Sequence, residues 1–204
     1  MKKLTFLIIA GILLGFPQAS QAQKVALKSG SLDVLGTLTE IRVEYTYDNM
    51  MVGKYNEEDY LEKKVKDFNA KEAGKGDEWK EDWVNDRTAR FQPRFQETFD
   101  NMFIFTGVDF SCNPDVTGIV KMVVHTTFTE PGYNIYMSSK NASINAEVIF
   151  YDDGGAEMAK VTITNSPGSG IFELDYDTGT RIQDAYASAG RALAAFILEK
   201  AFGE

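Results

Sequence analysis

The sequence contains few of the residues on which most catalytic and metal-binding sites depend. Among its 204 residues there are one histidine and one cysteine. A serine or cysteine triad needs a histidine base, and no Gly-x-Ser-x-Gly elbow is present. Zinc sites take three or four ligands, most of them histidine or cysteine. The composition therefore argues against these classes of enzyme, and we predict no catalytic residue, no metal and no cofactor.

The single histidine and the single cysteine are both predicted to have structural positions. His125 lies in an apolar strand segment, where we expect a packed or surface residue. Cys112 has no second thiol with which to form an internal disulfide, so a hydrophobic core must stabilise the chain. Its neighbours in DFSCNPD are acidic and would not activate a thiolate, so we predict a small buried hydrophobe.

One long apolar run is present, at the amino terminus. Lys2 and Lys3 precede an apolar segment over residues 4–16, and Ser20 and Ala22 offer small side chains at positions −3 and −1 of a cut after Ala22. This layout is typical of a bacterial secretory signal peptide, and the run is too short to span a bilayer. We therefore predict an exported protein, periplasmic or extracellular.

The mature chain is predicted to be one domain without a membrane anchor. The signal peptide covers residues 1–22, and residues 23–204 suit a single domain with a sizeable core. No cysteine follows the predicted cut, so the acceptor for a lipid anchor is lacking. No later run is long and apolar enough to form a transmembrane segment.

Basic residues are outnumbered by acidic ones. The chain has 21 Lys and Arg against 30 Asp and Glu; without the two signal lysines the count is 19 against 30, a net charge of −11. Such a protein is a poor candidate for binding nucleic acid, and anionic lipid surfaces would repel it.

Apolar periodicity predicts an α+β fold. In Thr39–Asp48 apolar or aromatic side chains alternate with polar ones, which is typical of a half-buried strand. Further strands are predicted at Lys24–Lys28, Ile104–Ser111, Gly118–Phe128, Ser143–Tyr151 and Glu157–Thr164. The Asp152–Gly155 segment between the last two predicts a hairpin turn, and the spaced oxygen ligands of a calcium loop are absent.

Apolar residues recur at helical spacing in residues 56–103 and near the carboxyl terminus. Asn56 and Asp77 are predicted helix caps, and Pro93 should begin a new helical segment or kink the existing one. A closing helix is predicted over Thr180–Phe202, capped by Thr178 or Thr180. The predicted fold is thus α+β, with a mainly antiparallel sheet of about five strands, helices packed on one face, and the order strand, helices, strands, helix.

Candidate binding residues are aromatic or lie in a loop. Segment 130–141, EPGYNIYMSSKN, has the composition of a loop or bent edge, and Tyr133, Asn134 and Tyr136 are its candidates. Trp79 and Trp83 could stack on sugar rings, or they could pack a helix onto the sheet.

Three acidic residues share one face of a predicted strand. Glu173, Asp175 and Asp177 alternate, and with Glu130 they could supply a carboxylate pair for sugar hydrolysis or bind calcium. The alternative is a solvated acidic edge before the last helix.

The order of elements and the Ala-rich segment AYASAGRALAAFI resemble those of small exported bacterial envelope domains. These include uncharacterised periplasmic lipoprotein families and the amino-terminal domain of the Tol-system translocation protein. The resemblance implies a non-enzymatic protein that binds another envelope protein. The alternatives are a carbohydrate-binding module or carbohydrate-active enzyme, and a lipid or small-ligand carrier.

Overall fold

The computed structural model of the chain describes residues 22–112, 115, 120–135, 138–168 and 177–203, with the backbone alone for residues 134, 135, 138 and 139. Within these ranges the chain forms an α+β structure of ten strands and four α-helices. In chain order they are β1 (Lys24–Gly30), β2 (Glu40–Thr46), β3 (Met51–Val52), β4 (Tyr55–Asn56), α1 (Glu57–Asn69), α2 (Lys75–Asp86), α3 (Gln92–Asp100), β5 (Asp109–Ser111), β6 (Lys121–Glu130), β7 (Tyr133–Ile135), β8 (Ser138–Lys140), β9 (Ser143–Tyr151), β10 (Glu157–Pro167) and α4 (Thr178–Ile197).

The main sheet has eight strands and mixed pairing, so the prediction of about five mainly antiparallel strands is wrong. Its order is β1-β10-β9-β6-β2-β5, and β3 pairs with both β4 and β6. Strands β1, β10, β9 and β6 are antiparallel, whereas β2 runs parallel to β5 and β6. Helices α1–α3 separate β2 from β5, and a helical crossover returns the chain in the same direction. Side-chain alternation identifies a strand but does not give its direction.

The β3–β4 hairpin and the separate β7–β8 pair are also additions to the predicted order. Both pairs are antiparallel, with Met51 opposite Asn56 in the first and Tyr133 opposite Lys140 in the second. Each strand is two or three residues long, too short for a side-chain alternation to be recognised in the sequence.

The predicted hairpin turn after β9 is confirmed. Asp152 accepts the amide of Ala156 at 2.8 Å through its side chain, and the amide of Gly155 donates to the Asp152 carbonyl at 3.0 Å. Gly155 has a φ of +83°, which glycine adopts without strain. Asp152 therefore closes the turn between β9 and β10.

Two of the predicted helix caps are replaced by neighbouring residues. The cap at Asn56 is confirmed, since its side chain accepts the Asp59 amide at 2.8 Å. Helix α2 begins two residues before Asp77, after Gly74 with a φ of +85°. Asp177, rather than a threonine, caps α4 by accepting the Gly179 amide at 2.9 Å.

A π-helical turn, Arg87–Phe91, joins α2 to α3. The Gln92 amide bonds the Arg87 carbonyl five residues back, and Pro93 follows in the first turn of α3 as predicted. Trp83, Phe91, Phe95 and Phe99 are spaced four or eight residues apart across this π turn, and all four are buried.

Helices cover one face of the main sheet and bury a continuous core. Alternate residues of β9 are buried, from Ile144 to Phe150, while the intervening side chains are half-buried. Helix α4 packs on β9 and β10 and against α3. Its contact with α3 is close, because a methyl group at Gly190 would stand 2.5 Å from the Phe95 carbonyl oxygen. Large side chains, among them Phe95, Phe150 and Tyr186, fill the space between the helices and the sheet.

Buried hydroxyls join α4 to its neighbours. Tyr186 and Thr126 share a hydrogen bond of 2.7 Å, and the Tyr186 ring stacks on Phe91 with centroids 5.1 Å apart. The Ser166 hydroxyl donates to the Ala185 carbonyl, and that of Thr98 donates to the Ala187 carbonyl. These bonds satisfy polar groups that would destabilise the core if left without partners.

The predicted strand Ile104–Ser111 is only partly a strand. Residues 101–107 form a turn, and β5 covers Asp109–Ser111 alone. The apolar residues Ile104 and Phe105, which were part of the predicted strand, lie in the turn and are exposed.

The contact at Gly190 gives a stability prediction. We expect Gly190→Val to lower the free energy of unfolding by about 2 kcal/mol more than Ala195→Val, because the branched side chain would push α3 away from α4. Ala195 lies on the exposed side of the same helix, so both variants place the same side chain in α4. Urea unfolding followed by circular dichroism measures the difference. Equal losses would contradict the close contact.

Candidate functional site

An exposed apolar turn between α3 and β5 is the main surface feature. In this apolar turn, residues 101–107, Phe105 is 98% exposed, Ile104 65% and Met102 39%. Isolated apolar side chains are common on protein surfaces, but an almost fully exposed phenylalanine beside two further apolar residues forms a patch. This patch was not predicted from the sequence, because its residues also fit the pattern of a strand.

The apolar turn is held by a buried ring and by short hydrogen bonds. Phe103 is 2% exposed and packs against Phe99 and Phe110, with ring centroids 5.0 and 4.6 Å away. The Phe103 amide donates to the Asp100 carbonyl at 2.8 Å, and the Thr106 amide donates to the Phe103 carbonyl at 2.9 Å. The turn that carries Phe105 is therefore held by backbone hydrogen bonds and by the burial of Phe103.

A cavity of about 370 Å³ lies beside the apolar turn. Its apolar lining includes Ile104 and Phe110, and its carboxylates are Asp100 and Asp109. Burial raises the pKa of Asp100, and the charge of Asp109 raises it further. The exposed apolar side chains thus stand beside two carboxylates.

A second cavity, of about 750 Å³, opens where β2 meets α1. We call it the acidic cavity, because Asp48, Glu57 and Glu58 line it with a single cation, Arg87. Glu57 accepts hydrogen bonds from the Trp83 indole nitrogen at 2.7 Å and from the Arg87 guanidinium.

The Arg87 guanidinium is also fixed by an aromatic ring. It lies over Tyr47, 4.3 Å from the ring centroid, and forms an ion pair with Glu57. The side chains of both ion-pair partners are largely buried, so the pair is part of the packing between β2, α1 and α2. The cavity therefore contains one cation that is already paired and stacked.

The predicted loop candidate Tyr133 lines a third cavity, of about 570 Å³. Asn134 lies in β7 with its side chain outside the described part of the structure, and Tyr136 lies outside the described residues. We call this cavity the lysine–aromatic pocket. Its cations are Lys54, Lys64 and Lys140, its rings are Tyr55, Tyr60, Phe128 and Tyr133, and its carboxylate is Glu130. The lysines and the first three rings were not predicted from the sequence, because they come from separate parts of the chain.

The two predicted tryptophan candidates pack within the helices. Trp83 is 6% exposed, and its ring lies against Tyr60 and Trp79 with centroids 5.3 and 5.6 Å away. Trp79 is half-buried between Phe68, Tyr60 and Trp83. A sugar ring needs an open aromatic face, and Trp83 does not have one.

The single histidine and the single cysteine differ in burial. His125 is half-buried in β6, and its Nδ1 is 2.9 Å from the Thr46 hydroxyl. Cys112 is exposed just beyond β5, so its prediction as a buried hydrophobe is wrong. Its thiol donates to Gln96 Oε1 at 3.2 Å. The buried alternation of β5 ends before this position, because the strand is only three residues long.

The predicted acidic cluster is not assembled by the described residues. Glu173 and Asp175 lie outside them. Asp177 caps α4 and pairs with Arg90, and Glu130 pairs with Lys140 at 2.5 Å. In the described part of the chain, no group of three or more His, Cys, Asp or Glu is arranged to hold a metal ion. Over the same residues, no helix has the length and hydropathy to cross a membrane.

Comparisons with known proteins do not show a family. No protein-family model matches the chain, and no curated protein matches it. Two solved structures of the PelC dodecamer from Paraburkholderia phytofirmans, one of them a variant, are similar over 88% of this chain and 98% of theirs. Their identities are 11% and 12%, with TM-scores of 0.39 and 0.37 respectively. Likeness at this level carries no conclusion about function.

Glu57 is predicted to stabilise the fold around the acidic cavity. Glu57→Ala would leave the Trp83 indole and the Arg87 guanidinium without their acceptor, so we expect a loss of about 2 kcal/mol in the free energy of unfolding. Glu57→Gln retains an acceptor for the indole and should lose less. Chemical denaturation followed by tryptophan fluorescence measures both variants.

The control for Glu57 is an exposed ion pair on the same helix. Lys63 pairs with Asp67 one turn away, at the surface. Exposed pairs contribute little to stability, so Lys63→Ala should leave the unfolding midpoint unchanged. A Glu57→Ala variant as stable as Lys63→Ala would show that the network does not support the fold.

Proposed function

We propose that this is an exported, non-enzymatic protein that binds another protein of the bacterial envelope through the apolar turn. The observation that carries the proposal is the 98% exposure of Phe105 on a hydrogen-bonded turn. Aromatic side chains are the commonest anchors of protein interfaces, where they fill a pocket of the partner. An anchor that is already ordered loses less conformational entropy on binding.

The partner should present an apolar pocket with basic residues at its rim. Phe105 and Ile104 would enter the pocket, while Asp100 and Asp109 would face the rim. Complementary charge at a rim mainly raises the association rate and the specificity. This arrangement favours a different protein over a second copy, because two copies meeting at this turn would bring their carboxylates together.

A membrane surface is a weaker candidate for the apolar turn. Three apolar side chains could enter a lipid interface, but the two adjacent carboxylates and the acidic chain would be repelled by anionic headgroups. Carriage of a lipid between the helices and the sheet is also less well supported, since large side chains occupy that space.

Phe105→Asp should abolish capture of the partner without destabilising the protein. The precursor would be produced in cells with a cleavable crosslinker, and the captured proteins would be quantified by mass spectrometry. Because Phe105 is exposed, the unfolding midpoint should remain that of the parent protein. The expected result is loss of one reproducible envelope protein that the parent captures at comparable amounts.

The matched control is Val84→Asp. Val84 is another exposed apolar residue, 42% exposed on α2, and lies outside the apolar turn. The variant adds the same charge and should retain the partner. If both variants lose the partner, or neither does, the apolar turn is not the interface.

The proposed export gives a separate prediction at the amino terminus. A cut after Ala22 leaves Gln23 first, and its side-chain amide donates to Ser166 Oγ and to the Ser188 carbonyl, each at 3.1 Å. We expect the intact mass of the exported protein to correspond to residues 23–204. Ala22→Arg should block the cut, whereas Gln21→Arg, at the tolerant −2 position, should not. An uncut precursor in the cytoplasm of the parent strain would contradict export.

A further inference from the structure

The lysine–aromatic pocket lies away from the apolar turn. Strand β5, which follows the turn, pairs with the first residues of β2. The pocket lies past the other end of β2, where Met51 of β3 pairs with Phe128 of β6. The β3–β4 hairpin, α1 and the connection between β6 and β7 surround its volume of about 570 Å³. This volume is within the range of small-ligand sites.

The pocket is positively charged in a protein that is otherwise acidic. Three lysines and one glutamate line it, and Lys140 is paired with that glutamate, Glu130, at 2.5 Å. Within the residues that the structure describes, Lys54 and Lys64 form no ion pair. The acidic cavity has the opposite balance, with three carboxylates and one arginine. An anionic ligand would therefore be attracted to the lysine–aromatic pocket and repelled from the acidic cavity.

Lys64 is the least hydrated of the three cations. It is half-buried, and its ammonium lies 5.6 Å from the centroid of the Tyr60 ring. Burial lowers the pKa of Lys64, and the nearby Lys63 lowers it further. An anion bound beside this ammonium would replace part of its lost hydration.

Aromatic rings and their hydroxyls supply the remaining contacts. Tyr55 and Tyr60 are half-buried, and Tyr133 is 41% exposed at the mouth. Burial raises the pKa of Tyr60 to about 12, so its hydroxyl stays protonated at neutral pH and can donate a hydrogen bond. Glu130 provides a carboxylate that can accept one. Ring faces next to donors and an acceptor are suited to a ligand with apolar faces and hydroxyl groups.

The described lining lacks two common phosphate-binding devices. Many phosphate sites use a helix amino terminus or an arginine fork, although a lysine can also bind phosphate as a point charge. Among the residues that the structure describes, no arginine lines the pocket, and the first turn of α1 carries its own acidic residues, Glu57, Glu58 and Asp59. Separate ammonium groups around aromatic rings suit single anionic groups on a ring-shaped ligand, and a sugar carboxylate is such a group.

We propose that the lysine–aromatic pocket binds a carboxylated saccharide, with a sugar face on Tyr133 and its carboxylate beside Lys54 and Lys64. The site does not depend on the apolar turn or on the partner proposed above. No chemical reaction is involved, because the lysine–aromatic pocket only binds the sugar.

Titration calorimetry with digalacturonate and with its neutral dimethyl ester tests the assignment. The acid should bind the parent protein, and the ester should bind about tenfold or more weakly, because one charged contact contributes about that factor. Lys64→Gln and Tyr133→Ala should each weaken binding of the acid by about tenfold. Lys64→Gln should leave the weak binding of the ester unchanged, whereas Tyr133→Ala should weaken both.

Lys63→Gln is the matched control. Lys63 is the neighbouring residue on α1, is exposed, and pairs with Asp67 outside the pocket. Equal losses of affinity in Lys63→Gln and Lys64→Gln would overturn the site in favour of general charge attraction. The exposed Lys54→Gln provides a second pocket variant if Lys64→Gln fails to fold by circular dichroism.

Three further outcomes would overturn the proposal. The first is equal affinity for the acid and the ester, which would remove the role of charge. The second is the absence of binding of digalacturonate at millimolar concentration. The third is tighter binding of a triglutamate peptide than of digalacturonate, which would assign the pocket to acidic peptides. Binding of the saccharide by Phe105→Asp at the parent affinity would show that the two sites are independent.

Discussion

Helix α4 lies in close contact with α3 and, on its other side, with the sheet. Gly190 allows the two helices to approach until backbone and side chains touch, and Thr98 bonds the Ala187 carbonyl across that contact. The same helix packs on β9 and β10 and places Tyr186 in the core, bonded to Thr126. Residues with small side chains are needed here because added volume in a packed core separates its layers.

The position of α3 also determines what is exposed. Phe99, near the end of α3, is buried. Phe103, just beyond the helix, is also buried and packs against the Phe99 ring. The chain must then turn sharply to enter β5, so Ile104 and Phe105 lie outside the core that their neighbours fill. The burial of the Phe103 ring thus leaves the following residues of the apolar turn exposed.

Helix α1 separates two cavities of opposite charge. Its first residues, Glu57 and Glu58, line the acidic cavity, whereas Tyr60 and Lys64 line the lysine–aromatic pocket. Acidic residues stabilise a helix amino terminus and lysine is tolerated in the following turns, so the charge order that suits the helix also sets the charge of each cavity. A protein with a large net negative charge can in this way still carry a local site for anions.

Local patterns in the sequence predict the Asn56 cap, the turn at Asp152, the helical segment beginning near Pro93 and the strands with regular alternation. These follow from hydrogen bonds and side-chain periods within a few residues. For Tyr133 the composition predicted a loop or bent edge, whereas the structure has the short strand β7 there. The parallel pairing of β2, the exposure of Phe105 and the shared pocket of Lys54, Lys64 and Tyr133 become evident in the tertiary structure alone. The physical reason is that strand direction, burial and charge clustering depend on contacts between distant parts of the chain, which no local pattern encodes.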